Sequence, residues 1–326
     1  MKYSQIKIWP EIISYLPAQT ALVSRKNEPN DLLLDWTNCT EIDSTGLTFL
    51  LVRLLKILTL GKNLRKWNAK QSLDPKVAAA LGSLGVWKIL RPFMETGALR
   101  PDLFVNEVPK DNCIEPVIIK NSMGTETISL PIYHLAFSSQ SVNRREELEK
   151  FREWLYQQLV TLRKDFFFHH TQLVWILIEI AKNSADHTDK DAYFGMDVAV
   201  SPTRENMILT FAFGDLGVGI KQHIQNYYSK TLKKRIPHFS IYEAYYVAIQ
   251  PGFSTAAAGV NKGVGMSLIL EGSKGMNLSL SVFDAKSRGL LNCLNGRSHS
   301  EIRRVFFDLD TKVGFYYFGK LISGRS

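Results

Sequence analysis

The chain has 326 residues, 45% of them hydrophobic and 22% charged, with a formal net charge of +9. That length predicts about two domains with a core in each, and the ordinary composition excludes a disordered chain or a repeat array. The basic excess permits an acidic partner, but over this length it is more often solvated surface. The densest basic cluster, Lys230, Lys233, Lys234 and Arg235, has no interleaved stacking aromatics, so nucleic acid is not an expected partner. Three cysteines, Cys39, Cys113 and Cys293, are far apart and without metal spacing, which fits a reducing compartment. The longest apolar run, Leu47 to Leu60, is interrupted by Arg53 and Lys56 and is too short to span a bilayer. The first residues carry charge but no continuous apolar stretch of a signal peptide. The expectation is a cytoplasmic protein with no membrane association.

In chain order, Asp31 to Trp36 is a short apolar run with polar flanks, predicting a buried strand. Asp43-Ser44-Thr45-Gly46 then opens an amphipathic helix over Leu47 to Leu60, capped by Asp43 or Ser44 and ended by Gly61. Lys62 to Ala69 passes as another strand. Pro75 starts a second helix that leads into Leu84, Val86 and Trp87. Strand, capped helix, strand, helix is an α/β signature. From about 93 to 139 prolines and short apolar runs predict a connector with a few strands, Val117–Lys120 and Ile128–Phe137 the best of them. Arg144 to Arg163 reads as a charged amphipathic helix, and Phe166 to Ser184 as a second helix, apolar round much of its circumference and therefore buried. Strands follow at Ala192–Val200, Asn206–Phe213, Leu278–Phe283 and Val305–Leu309, with helices between them, which makes this part α+β.

Three segments carry the chemistry. In Glu179-Ile-Ala-Lys-Asn183 a carboxylate and a carboxamide leave one helix face a turn apart. In isolation the better reading is a solvated helix edge with an i,i+4 hydrogen bond. Asp215-Leu-Gly217-Val-Gly219 follows an apolar strand; Asp-x-Gly is turn-like anywhere, but here the glycines also free backbone to approach a ligand. Pro251-Gly-Phe-Ser254-Thr255 precedes Lys262-Gly263-Val-Gly265-Met266, where glycines at a helix start expose N–H groups to an anion. This is not a Walker A loop, which would end in Gly-Lys-Ser/Thr.

In that order the segments resemble the N, G1 and G2 boxes of the GHKL superfamily of ATP-binding proteins (HATPase_c, Bergerat fold). The resemblance implies ATP and Mg²⁺ as cofactors. It makes Glu179 a general base that activates water or a protein hydroxyl. It makes Asn183 an oxygen ligand of Mg²⁺, and Asp215 the acceptor of the adenine amine. Gly217, Gly219, Gly263 and Gly265 lie along the nucleotide, with Ser254, Thr255 and Lys262 at the lid. His187 matches a position often His in the serine-kinase branch, although a histidine at a helix end also interacts with the dipole. The stretch from Gly219 to Gly252 would form a mobile lid whose closure a partner could read.

Upstream, Asp43-Ser-Thr-Gly-Leu47 and Leu84-Gly-Val-Trp-Lys-Ile-Leu90 resemble the STAS domain of anti-sigma-factor antagonists. The expected fold class is therefore an α/β STAS-like domain over 1–92, a connector over 93–139, and an α+β two-layer GHKL (Bergerat) sandwich over 140–326. Histidine kinases need a phosphoacceptor hairpin that His169-His170-Thr-Gln does not supply. Gyrase, MutL and Hsp90 types carry a transducer after the ATP site, and this sequence runs only briefly past it. The nearest branch is the anti-sigma-factor serine kinases, whose partner-switching systems phosphorylate the STAS hydroxyl. Thr45 matches that acceptor, with Ser44 beside it, although either also serves as a plain helix cap. Two readings stay open: an ATPase or serine/threonine kinase using Glu179, and an ATP-gated interaction module with little turnover. Either docks a protein partner through the STAS-like domain and lid, within one polypeptide or between two copies in a homodimer.

Overall fold

A computed structural model describes residues 21–25, 28–35, 42–60, 75–96, 114–120, 124–138, 143–163, 169–188, 190–203, 206–230, 239–253, 265–276, 278–284, 286–287, 289–293, 301–304 and 315–324. The expected strands Lys62–Ala69 and Val305–Leu309 lie outside them. At the N-terminal end β1 (Ala21–Arg25) and β2 (Glu28–Asp35) pair as an antiparallel hairpin. Helix α1 (Ser44–Leu60) follows. Next come α2 (Pro75–Ser83) and α3 (Val86–Glu95), parted at Gly85, whose left-handed φ of 79° ends one helix and opens the other.

The rest is built on one open antiparallel sheet. Its strands are β3 (Val117–Lys120), β4 (Glu126–Ser129), β5 (Tyr133–Leu135), β6 (Ala192–Val200), β7 (Asn206–Asp215), β8 (Ser279–Asp284), β9 (Gly289–Cys293), β10 (Glu301–Arg304) and β11 (Phe315–Gly324). Their order is β10-β9-β8-β11-β7-β6-β4-β3, with β5 pairing β6 beside β4. The connector strands therefore belong to the same sheet as the strands of 140–326. The stretch Ile128–Phe137 does not run as one strand; Leu130 to Ile132 separates β4 from β5.

Between strands lie α4 (Arg144–Arg163), α5 (His170–His187), α6 (Ile220–Lys230), α7 (Ile241–Ala248) and α8 (Gly265–Gly275). Ser240 and Glu243 close a capping box at the start of α7, joining two otherwise orphaned backbone donors to side chains. Alternation decides what each face of the sheet meets. Phe194, Met196 and Val198 of β6, with Leu209, Phe211 and Phe213 of β7, pack with Leu173, Ile176, Leu177 and Ile180 of α5. The intervening residues Tyr193, Ala212, Tyr316 and Phe318 meet α1 and α3 on the other face.

The expected two-layer sandwich is thus covered by a third layer, and α1 lies on the sheet of the C-terminal part. The physical reason is composition. Leu47, Leu51, Val52, Leu54 and Leu55 are all buried, and each fully buried side chain of this kind contributes about 1.5–3 kcal/mol. The second face of β6, β7 and β11 supplies the apolar area that covers them. Phe49 packs its ring 4.8 Å from that of Tyr316.

The fit of α1 is close because one stripe of it runs over small residues. A Cβ on Gly195 would stand 2.2 Å from Thr48 Oγ1, and one on Gly214 3.0 Å from Val52 Cγ2. At the helix start Asp43 caps the Gly46 N–H. The Asp197 carboxylate of β6 accepts from the N–H groups of Ser44 and Thr45 at 2.8 and 2.7 Å. Two of the orphan donors of a helix N-terminus are thereby satisfied by a single buried side chain. Burial pushes the carboxyls of Asp197 and Asp43 upward, and for Asp43 the charge of Asp197 adds to the rise.

Candidate functional site

On the helical face, the end of β7 and the C-terminal half of α5 enclose a pocket. Its empty volume is about 800 Å³, including its open mouth. Asn183 and His187 come from α5, Asp215, Gly217 and Gly219 from the β7 end and the turn after it, and Gly265 from the start of α8. Residues up to 82 positions apart are brought together because α5 packs against α8 and both lie over the sheet.

Asp215 is the most constrained group. Ser184 Oγ donates to its Oδ2 at 2.8 Å, and the Gly217 N–H donates to its Oδ1 at 2.8 Å. The residue is only 4% exposed. Burial pushes its carboxyl up to about 6; the Ser184 and Gly217 bonds and the charge of Lys56 oppose that rise, and Asp284 adds to it. At neutral pH the group is an anionic acceptor whose orientation is fixed on both oxygens.

Two glycines are needed for shape. Gly219 has φ of +82°, and a Cβ there would also stand 2.6 Å from Asp284 Oδ1, so both conformation and space exclude a side chain. Gly265 opens α8 against Asn183, whose Oδ1 would lie 2.8 Å from an added Cβ. The Nδ2 of Asn183 is buried without a hydrogen bond of good geometry, although the amide is near enough to Tyr317 to favour its phenolate. A buried polar amide lining a cavity with capacity unused is what a ligand site leaves in the free protein.

His187 and His223 stand with ring centroids 4.8 Å apart on the pocket wall. Burial lowers both imidazoles; His223 falls to about 4, with His187 adding to the fall. Burial thus disfavours a positive charge on this wall of the pocket.

Among the other expected site residues, Glu179 is half-buried on α5 one turn before Asn183, is not among the pocket-lining residues, and places its carboxylate 3.7 Å from Lys182. Ser254, Thr255, Lys262 and Gly263 lie outside the described residues. Of the expected lid, α6 and α7 are described, and 231–238 between them are not. Ser44 and Thr45 are buried at the start of α1, on the opposite face of the sheet from the pocket. Sequence reasoning missed Ser184, His223, Phe253, Met266, Phe315 and Tyr317, which also line the pocket. Ser184 sits directly after Asn183, and the aromatic run Phe315-Tyr-Tyr-Phe318 was itself a strand signal.

Magnesium can be tested against the donors present. Among the described residues no group of three or more His, Cys, Asp or Glu side chains is placed to hold a metal ion. Mg²⁺, however, is commonly bound through one or two protein oxygens with substrate phosphates and water. The Asn183 amide fits that role and no all-protein cage does. No helix among the described residues is long and apolar enough to cross a membrane. No known protein family, curated protein or solved structure matches the chain.

Proposed function

We propose that this protein is an ATP-binding regulatory protein of the GHKL type, with the pocket between α5, the end of β7 and the start of α8 as its nucleotide site. One observation carries the reading: Asn183, Asp215 and Gly265, drawn from three segments distant in sequence, line one pocket, with Asp215 held on both oxygens by Ser184 and Gly217. An oriented, desolvated carboxylate accepts from the exocyclic amine of adenine and opposes the carbonyl that guanine carries there. The Gly265 N-terminus of α8 would turn the positive end of its helix dipole toward phosphate oxygens. Asn183 would hold Mg²⁺, which supplies charge neutralisation to those phosphates.

Of the two modes, the arrangement favours nucleotide-gated interaction over phosphorylation of the chain's own Thr45 or Ser44. Both hydroxyl residues are buried in the first turn of α1, beside Asp197. A phosphoryl group there would face two buried carboxylates, so its transfer would require α1 to leave the sheet. Under this reading the STAS-like segment around α1 and the helices α6 and α7 are where a protein partner senses the nucleotide state. The test is equilibrium binding of ATP and GTP with Mg²⁺, together with incubation in γ-labelled ATP. Selective ATP binding with little free phosphate supports gating. Rapid release of phosphate that disappears in Glu179→Ala establishes an ATPase, label on protein a kinase, and absence of nucleotide binding removes the reading.

A further inference from the structure

The stripe of α1 that faces the sheet is spaced by single helical turns: Ser44, Thr48, Val52 and Lys56. Ser44 meets Asp197, Thr48 stands over Gly195, and Val52 stands over Gly214. One turn further along, Lys56 arrives beyond the end of β7, and its Nζ donates to the backbone carbonyl of Leu216, the residue immediately after Asp215. The ammonium is half-buried and reaches that carbonyl from the face of the sheet opposite the pocket.

We propose that Lys56 is a positioning residue for the pocket: from α1 it clamps the Asp215-Leu216-Gly217 turn and places its charge behind the carboxylate that reads the ligand. This rests on the nucleotide reading above for what the ligand is, but the clamp itself does not. The turn is otherwise tied at the Leu216 N–H, which donates to the Asp191 carbonyl, and at the Gly217 N–H on Asp215. Lys56 thus fixes the one carbonyl between two anchored donors. Half-burial suits a long amphipathic side chain, which can cover its methylenes and still present its charge.

The electrostatics agree in sign. Around Asp215 stand Lys56 of α1, Asp284 of β8, Tyr317 of β11 and the Ser184 hydroxyl of α5. Lys56 is the cation of that set, and favours the ionised carboxylate against burial and Asp284. Lys56 in turn is lowered by burial and by Lys190 and Lys286, with Asp215 opposing them. Removal of the ammonium leaves Asp215 with no cation of that set to offset its burial, and frees the Leu216 carbonyl. The consequence is a mechanical link: anything that lifts α1 from the sheet withdraws Lys56, so docking of the STAS-like helix and the acceptor strength of the pocket change together.

The experiment uses the full chain with Lys56→Met, which keeps most of the stem, and Lys56→Arg, which keeps the charge. The side-chain carboxyl of Asp215 is followed by carbon NMR against pH in the nucleotide-free protein, alongside ATP affinity over the same range. For Lys56→Met the Asp215 midpoint moves up by on the order of half to one pH unit, ATP affinity at pH 6 falls about two- to five-fold, and Lys56→Arg restores both. An unshifted midpoint in a folded Lys56→Met protein overturns the inference, as does an Arg variant that behaves like Met. If the wild-type chain binds no nucleotide, the functional reading fails while the carboxyl titration still decides the clamp.

Discussion

Replacing Asp215 by Asn changes one acceptor and little else, and so isolates the adenine recognition proposed for it. The amide retains an oxygen for the Gly217 N–H, and its Nδ2 faces Ser184 Oγ, which turns to accept instead of donate. What changes is the lone pair offered to the ligand, replaced by an N–H that opposes an amine and suits a carbonyl. A hydrogen bond to a charged group contributes about 1.5–3 kcal/mol, so ATP affinity should fall roughly ten- to a hundred-fold, and the preference for ATP over GTP should narrow or invert. Stability should not fall with it. Burial pushes the Asp215 carboxyl up to about 6, so carrying its charge at pH 7 costs on the order of 2–3 kcal/mol in the free protein, a cost the amide lacks. Calorimetric titration of both nucleotides into wild type and variant, with thermal unfolding as the control for fold, measures all of this. An Asn variant that unfolds like wild type and binds ATP equally well would refute the assignment of Asp215 as the base acceptor.

The same carboxylate sets a pH dependence. Its folded value lies above the unfolded one, so its contribution to stability is greatest in acid and declines as pH rises through about 6. Ligand binding runs the other way: the ionised form accepts, so ATP affinity should weaken about tenfold per pH unit below about 6, and a flat profile from pH 5 to 7 would contradict it. At Gly219, substitution by Ala meets both a φ of +82° and a contact of 2.6 Å with Asp284; a loss of about 1–3 kcal/mol should appear in denaturant unfolding. Gly265→Ala pushes a methyl to 2.8 Å from Asn183 Oδ1, and should weaken Mg-dependent nucleotide binding more than it lowers the unfolding midpoint. Asp197→Ala leaves the Ser44 and Thr45 N–H groups buried without their acceptor. Each such orphan costs about 1–3 kcal/mol, and earlier proteolytic release of the α1 region is the expected readout.

Much of the helical layer was legible in the sequence, because α5 carries an apolar pattern at helical period and strands β6 and β7 are bounded by turn residues. Asn183 lines the pocket, but Glu179, expected on the same helix face, does not, and the strand expected to end at Phe213 runs on through Asp215. Two things were not read. The apolar run of β6, Ala-Tyr-Phe-Gly-Met-Asp-Val-Ala-Val, lacks the polar alternation of a strand with one wet face. Its only carboxylate, Asp197, is spent on the start of α1. Both facts point to a second covering layer, but the partner lies some 150 positions upstream, and periodicity within a strand cannot name it. The other omission is β11. Its aromatic sequence fits a strand, yet local propensity does not say that it would enter the middle of the sheet. Phe315 and Tyr317 consequently joined the pocket lining from a segment that no motif marks.

That central strand also orders the events of synthesis. β11 pairs with β7 along one side and with β8 along the other, and it is the latest of all the sheet's strands to be translated. Until it emerges from the ribosome, β3–β7 and β8–β10 are separate half-sheets, each with an unpaired edge rich in apolar side chains. Such edges invite pairing with other chains, and nonlocal strand insertion is slow. The nascent protein therefore passes through a stage in which most of its residues exist but the pocket has no floor. A chaperone that shields the β7 and β8 edges during that interval should raise the yield of folded chain, and a stop codon placed before Phe315 should leave two sticky sheets and no site.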